Sequence, residues 1–212
     1  MKTDDLISAL TADETPRAPT PRGMLWLAVA GGVLAAGSAF FVLLGPRPDF
    51  MQAIETVRFV FKFVVSLALA ASAFVALRRA MRPEMGARPL HAALLIAPAL
   101  LIAALVLEML AVPAADWATR WIGHNWLYCM TFIPIFSLAP LALLFTALRS
   151  GATTTPDRTG AIAGLLAGGI GAVFYAAHCP DDSPLFVATW YTIAIGFVTG
   201  LGALCGARLL RW

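Results

Sequence analysis

Two cysteines and two histidines are the residues of this sequence best suited to chemistry. Cys129 follows His124 by five residues, and Cys179 directly follows His178. Two thiols can form a disulfide where the geometry allows it, and thiolate with imidazole is a donor set for a soft metal ion. The sequence has no Cys-x-x-Cys motif, so a third interpretation stays open, in which the cysteines only pack as small hydrophobes. No resident cofactor is predicted.

Ionisable side chains inside apolar sequence are the second notable feature. Arg58 and Lys62 are four residues apart and so share one face of a helix, and Glu108 lies near the end of the next apolar stretch. An unpaired charge within a membrane is costly. The sequence therefore predicts an intramembrane ion pair between Lys62 and Glu108. A proton or ion pathway is the alternative, which the apolar middles of all the stretches disfavour.

Six long apolar stretches must position these groups. Each is close to the ~20 residues that a helix needs to cross the hydrocarbon core of a bilayer. Hydrophobic residues make up 60% of the chain and charged residues 13%, which is outside the range of soluble globular proteins. The stretches are residues 24–44, 59–77, 90–112, 126–148, 161–177 and 185–207. The predicted fold is all-α, a polytopic membrane protein with a six-transmembrane-helix bundle in residues 24–212.

The basic residues predict the orientation of this bundle. Of the 15 lysines and arginines, 11 fall in the N-terminal tail, the second and fourth loops and the C-terminus. The positive-inside rule then places both termini in the cytoplasm of a bacterial inner membrane. The basic excess is explained by topology, so no direct nucleic-acid binding is predicted.

The same topology brings the cysteines and histidines to one face. His124, Cys129, His178 and Cys179 all fall at the periplasmic ends of the fourth and fifth helices, where the environment is oxidising. They form a candidate sensory thiol site, or a candidate site for a soft metal ion.

Glycines recur at four-residue spacing in the last two helices. Such spacing allows helix backbones to approach closely within a membrane. It favours a tight contact between the fifth and sixth helices, with dimerisation as the alternative. The residues are Gly160, Gly164 and Gly168 in the fifth helix, and Gly196, Gly200, Gly202 and Gly206 in the sixth.

The first 23 residues are the only polar segment of any length. Residues 1–14 are typical of a short helix, with Thr3 as a plausible N-cap and acids in the first turn. Residues 15–23 are rich in proline and predict an extended spacer.

The short helix has the character of a partner-binding segment. Its polar face is acidic, unlike the basic face of a helix that lies on a membrane. An apolar stripe that folds into a groove on a cytoplasmic protein fits better, while a disordered tail without function is the alternative. The candidate contact residues are Asp4, Asp5, Leu6, Ile7 and Leu10.

The whole chain resembles the NrsF family of membrane-embedded anti-sigma factors. The resemblance is carried by the opening decapeptide MKTDDLISAL, the proline-rich spacer, the six apolar stretches, Cys129 and the His178-Cys179 segment. It implies that the protein is not an enzyme. It implies instead that the chain holds an extracytoplasmic-function (ECF) sigma factor at the inner membrane and releases it on an envelope signal such as metal or redox stress.

Two other classes of protein stay open at this point. A membrane thiol-redox protein would be expected to carry a Cys-x-x-Cys pair and a quinone site. A small transporter would be expected to carry polar groups at the membrane midplane, or broken helices at matching places in two halves.

Overall fold

Six long helices make up most of the protein in a computed structural model, which describes Thr3, Ser8 and residues 20–81, 92–151 and 153–210. No strand occurs in these ranges, and the six helices are long and apolar enough to cross a membrane. The predicted all-helical fold with six such helices is therefore confirmed. The helices are α1 (Pro21–Leu43), α2 (Val57–Ala80), α3 (Ile96–Ala111), α4 (Trp126–Leu148), α5 (Pro156–Ala176) and α6 (Pro184–Leu209).

Helix starts agree with local sequence signals. The Thr20 side chain accepts a hydrogen bond from the backbone N–H of Gly23 at 3.2 Å, with Pro21 in the first helical position of α1. The Thr56 side chain caps α2 by accepting from the backbone N–H of Phe59 at 3.4 Å. Near its start, α6 contains a π-helical segment, Val187–Tyr191.

Three connections meet at one end of the bundle, which we call the charged end. It consists of residues 44–56, 112–125 and 177–183. The first connection contains the short helix Phe50–Ala53, and the second contains the short helix Trp117–Ile122. The predicted site residues His124, His178 and Cys179 belong to this end, and Cys129 lies next to it in the first turn of α4.

Helix α5 is the centre of the bundle and α3 is at its edge. Helices α2, α4 and α6 all pack against α5, whereas α3 packs mainly against α2 and the start of α6. In the most apolar stretch of each helix, 72% of α5 is buried inside the protein but only 11% of α3. The loops around α5 are therefore close to one another at the charged end.

Glycines bring α5 and α6 into direct backbone contact. A Cβ atom at Gly202 would overlap the carbonyl oxygen of Gly160, and one at Gly206 would overlap that of Pro156. The predicted tight contact between the fifth and sixth helices is confirmed. Gly196 and Gly200 face open space instead, so their spacing plays no part in it.

This contact predicts opposite outcomes for two glycines of the same helix. Gly202→Ala should lower the stability of the protein by about 1–3 kcal/mol, because the added methyl group forces two packed backbones apart. Gly200→Ala should leave stability unchanged or slightly raise it, because the methyl group meets nothing and alanine favours the helix. The measurement is thermal unfolding in detergent, followed by tryptophan fluorescence. Equal losses in the two variants would contradict the contact.

Candidate functional site

A fully buried lysine lies at the heart of the charged end. The Nζ atom of Lys62 is paired with Oδ1 of Asp182 and donates a hydrogen bond to the backbone oxygen of Cys179 at 2.7 Å. An ammonium group without access to water must find such partners inside the protein. Lys62 therefore fixes the position of the α5–α6 loop over the end of α2.

Arg47 extends this pair into a network of two cations and two carboxylates. Its Nη1 donates to both oxygens of Asp182, at 3.2 and 3.0 Å, while its Nε and Nη2 donate to the two oxygens of Asp49. The hydrogen bond from Arg47 holds the pKa of the Asp49 carboxyl below its usual range. Both cations also lie near the buried ring of Phe59, with Nζ of Lys62 at 5.1 Å and Cζ of Arg47 at 5.6 Å from its centroid.

Glu108 belongs to a second network. It is buried, and it accepts hydrogen bonds from Nε of Arg58 at 2.9 Å, Nη1 of Arg120 at 3.2 Å and Oγ of Ser183 at 3.4 Å. The predicted ion pair between Lys62 and Glu108 is therefore wrong, since each residue has other partners.

The positions of the helices explain this difference. Helix α3 packs at the edge of the bundle, so Glu108 meets Arg58, which is one turn closer to the charged end than Lys62. Helix α2 also packs against α5, and the loop that follows α5 brings Asp182 to Lys62. Two cations four residues apart on one helix thus take carboxylates from two different elements, Arg58 from helix α3 and Lys62 from the α5–α6 loop.

The two cysteines at this end are free thiols in the protein core. Cys129 lies in the first turn of α4 and Cys179 lies three residues after α5. Both are fully buried in one hydrophobic cluster, and they form no disulfide. Burial raises the pKa of the Cys179 thiol, although the Lys62 ammonium acts in the opposite direction. A protonated, covered thiol reacts slowly with oxidants and metals.

The two histidines do not join the thiols. Nδ1 of His178 donates to the backbone oxygen of Gly45 at 3.0 Å. The ring of His124 is 87% exposed and lies 3.8 Å from a carboxylate oxygen of Asp181. In the described part of the chain, no group of three or more His, Cys, Asp or Glu residues could hold a metal ion. The structure therefore brings together Cys129 and Cys179 but not the four predicted residues.

Asp181 fastens the α5–α6 loop to the start of α4. One of its oxygens accepts from the backbone N–H groups of His124 at 3.1 Å and Asn125 at 2.8 Å, and from the side chain of Asn125 at 3.1 Å. The hydroxyl of Tyr175 donates to the backbone oxygen of Asn125 at 3.3 Å. These bonds hold the loop, with Cys179 in it, against the start of α4, where Cys129 lies, and both thiols are buried.

Tyr191 adds an unusual group beneath the same loop. Its hydroxyl is the one buried side-chain polar atom of the described ranges that has no hydrogen-bond partner. The residue ends the π-helical segment of α6, and its ring lies 5.8 Å from that of Tyr175. A buried hydroxyl without a hydrogen-bond partner is unusual in a protein core.

Sequence reasoning did not assign roles to Arg47, Asp181 and Asp182. One signal pointed to them: a lysine within an apolar helix requires a carboxylate, and two adjacent aspartates follow Cys179. The predicted partner-binding residues of the tail, Asp4, Asp5, Leu6, Ile7 and Leu10, lie outside the described residues.

Comparison with known proteins covers the whole chain. A family described as NrsF, negative regulator of sigma F, matches residues 10–212. The chain is 34% identical over 220 residues to the anti-sigma-F factor NrsF of Caulobacter vibrioides, with all of both chains covered. It is 30% identical over 213 residues to the probable anti-sigma-F factor NrsF of Azospira oryzae, again with all of both chains covered. No solved structure matches the chain.

The lysine network predicts that Asp182 controls access to the thiols. Asp182→Asn leaves Lys62 buried without a carboxylate, which should cost roughly 3 kcal/mol of stability. The loop should then open more often, so Cys179 should react faster with N-ethylmaleimide. The measurement is the rate of labelling in a Cys205→Ser background, together with thermal unfolding.

Asp49→Asn is the matched control. It also removes one carboxylate partner of Arg47, but Asp49 is half-exposed and does not contact Lys62. Its effect on stability and labelling should be clearly smaller. Labelling rates that stay equal to the parent in both variants would contradict the role of Asp182.

Proposed function

The chain belongs to the NrsF family of negative regulators of sigma F, and we propose that it is an inner-membrane anti-sigma factor whose partner is an ECF sigma factor. The observation that carries this proposal is the match to anti-sigma factors over the full length of both chains. The family is regulatory, and we therefore propose that the charged end has a structural role rather than a catalytic one.

The outer surface of the bundle supports a location within the membrane. Large apolar side chains on several helices are exposed, with exposed fractions of 71% for Leu34, 81% for Val42 and 80% for Leu110. Apolar surface on this scale is unfavourable in water and favourable in lipid. Arg78, Arg79 and Arg149 lie at the end of the bundle opposite the charged end, so the positive-inside rule supports cytoplasmic termini and a periplasmic charged end.

The N-terminal tail is the proposed sigma-factor ligand. Helix α1 starts at Pro21, at the end of the bundle that we propose to be cytoplasmic, and the residues before it form the longest polar segment of the chain. The apolar stripe of residues 6, 7 and 10 would enter a groove on the sigma factor, with Asp4 and Asp5 next to basic residues. Burial of three aliphatic side chains supplies roughly 1.5–3 kcal/mol each before ordering costs.

The buried thiol pair is the proposed receiver of the envelope signal. An oxidant would take two electrons while Cys129 and Cys179 lose two protons and form one S–S bond. A soft metal ion would instead displace the two protons and bind both thiolates. Either event would require the α5–α6 loop to lift, because the thiols are covered at rest.

Helices α4 and α5 provide a route from the thiols to the tail. Cys129 lies in the first turn of α4 and Cys179 lies three residues after α5. The two helices follow each other in the chain, and they are joined at the end of the bundle where α1 starts. A disulfide bond or metal ion that joins the two thiols would favour one packing of these helices over another. The change in packing would weaken the binding of the tail to its partner.

The first test concerns the tail. Leu6→Ala combined with Leu10→Ala should release the sigma factor, because two of the three proposed anchor side chains are removed. We expect derepression of the target promoter and loss of sigma factor from affinity capture on full-length protein in detergent.

Thr11→Ala combined with Thr15→Ala is the matched control, which changes two tail residues outside the stripe. The amount of protein in the membrane fraction should be the same in parent and variants. Full repression by the leucine variant at normal protein levels would contradict the proposed contact.

The second test concerns the thiols. Cys129→Ser combined with Cys179→Ser should abolish or strongly reduce the response of the target promoter to cadmium or hypochlorite. Cys205→Ser is the control, because Cys205 lies on α6 towards the opposite end of the bundle. If the double variant responds like the parent, Cys129 and Cys179 serve only in packing.

A further inference from the structure

A large cavity opens between α2 and α3 at the charged end. Its volume is about 860 Å³, which is within the range of sites that hold small molecules. One part of its wall is apolar and is formed by both helices. The other part is charged and includes two arginines. The apolar wall includes Val57, Phe61, Leu100, Ala103, Ala104 and Leu107.

The cavity exists because α3 is loosely packed. This helix has only α2 and the start of α6 as main neighbours, and its side chains facing the gap include two alanines, Ala103 and Ala104. The gap between α2 and α3 is therefore open along the side of the bundle. An apolar chain could enter it from the surrounding lipid.

Two guanidinium groups at the charged part of the wall share a single carboxylate. Arg58 uses only its Nε and Arg120 uses only one Nη to bind Glu108. Their other N–H groups have no partner in the part of the chain that the structure describes. The two side chains are 45% and 36% exposed, so these donors are accessible from the cavity.

The other two carboxylates in the wall of the cavity, Asp181 and Asp182, already have hydrogen-bond partners. Asp182 is shared by Lys62 and Arg47. Asp181 accepts from the N–H groups at the start of α4. The Glu108 network is the exception, with two cations for one anion, and so an additional negative group would complete it.

We propose that this cavity binds an amphipathic anion, with a carboxylate or phosphate headgroup on Arg58 and Arg120 and an apolar chain between α2 and α3. Guanidinium groups bind such headgroups through two parallel hydrogen bonds, and Arg58 and Arg120 have donors free for this. The apolar wall at the same opening accounts for the chain. Neither feature is used by the buried thiols or by the tail.

A bound anion would also link parts of the protein that are separate in sequence. Arg58 belongs to α2 and Arg120 to the short helix Trp117–Ile122, while Glu108 belongs to α3. The headgroup would hold these three elements together at the mouth of the cavity. It would thereby stabilise α3 against the bundle.

The experiment uses full-length protein in nanodiscs of phosphatidylcholine. Stearic acid, phosphatidylglycerol and phosphatidylcholine, each with a spin label on the chain, are added in turn, and the immobilised fraction is measured by electron paramagnetic resonance. We expect a larger immobilised fraction for stearic acid or for phosphatidylglycerol than for phosphatidylcholine. The anion with the larger fraction identifies the ligand as a free fatty acid or a membrane phospholipid. Equal immobilisation of all three would overturn the site.

The variants remove the headgroup site without leaving a buried charge. Arg58→Gln, Glu108→Gln and Arg120→Gln together should weaken binding of the anion about tenfold or more, since charge-assisted hydrogen bonds are lost. The control, Arg22→Gln with Arg149→Gln, removes two arginines at the opposite end and should bind like the parent.

A second variant tests the chain separately. Ala104→Phe should fill the apolar part of the cavity and reduce immobilisation while all charges remain. Unchanged binding in both the triple variant and Ala104→Phe would overturn the proposal. The site rests on the proposed membrane location, and failure of the chain to enter nanodiscs would contradict that location, a result distinct from incorporation without binding.

Discussion

The charged end is organised by the need of the buried Lys62 ammonium for a carboxylate. Lys62 is enclosed by α2, α5 and the loop that follows α5, so water cannot solvate it and Asp182 must reach it. That requirement pulls the α5–α6 loop over the end of the bundle and draws Arg47 of the first connection into the same network. Cys179 belongs to this loop and Cys129 lies in the first turn of α4, so we expect their access to solvent to depend on the contacts of Asp182 and Asp181 that hold the loop in place.

This arrangement fits the proposed role of the thiols as receivers of an envelope signal. A thiol that is buried and protonated does not react with weak oxidants at rest, and a cover held by a few charged contacts can open without unfolding the bundle. The α5–α6 pair is packed more closely, because glycines bring the two helix backbones into contact. The bundle therefore combines a closely packed helix pair with a loop that is held by ion pairs and hydrogen bonds.

Much of the fold could be predicted from the sequence because its signals are local. Six apolar stretches, each ended by prolines, glycines or charged residues, predicted six helices with bounds close to those observed. The glycine spacing predicted the α5–α6 contact, since a residue without a side chain permits close approach whatever surrounds it. The same spacing also included Gly196 and Gly200, which do not take part in the contact. Spacing alone does not reveal which face of a helix meets a neighbour.

The sequence by itself determined the helices, the end of the bundle at which the thiols lie, and the requirement that Lys62 and Glu108 each have a partner of opposite charge. Only the tertiary structure decided which partners these are. Lys62 pairs with Asp182 and Glu108 with Arg58 and Arg120, because the pairing depends on which helix packs against which face of α2. The separation of His124 and His178 from the cysteines, and the cavity beside α3, arise in the same way. Charges specify that partners must exist, but distances between elements far apart in the chain are set by how the helices pack.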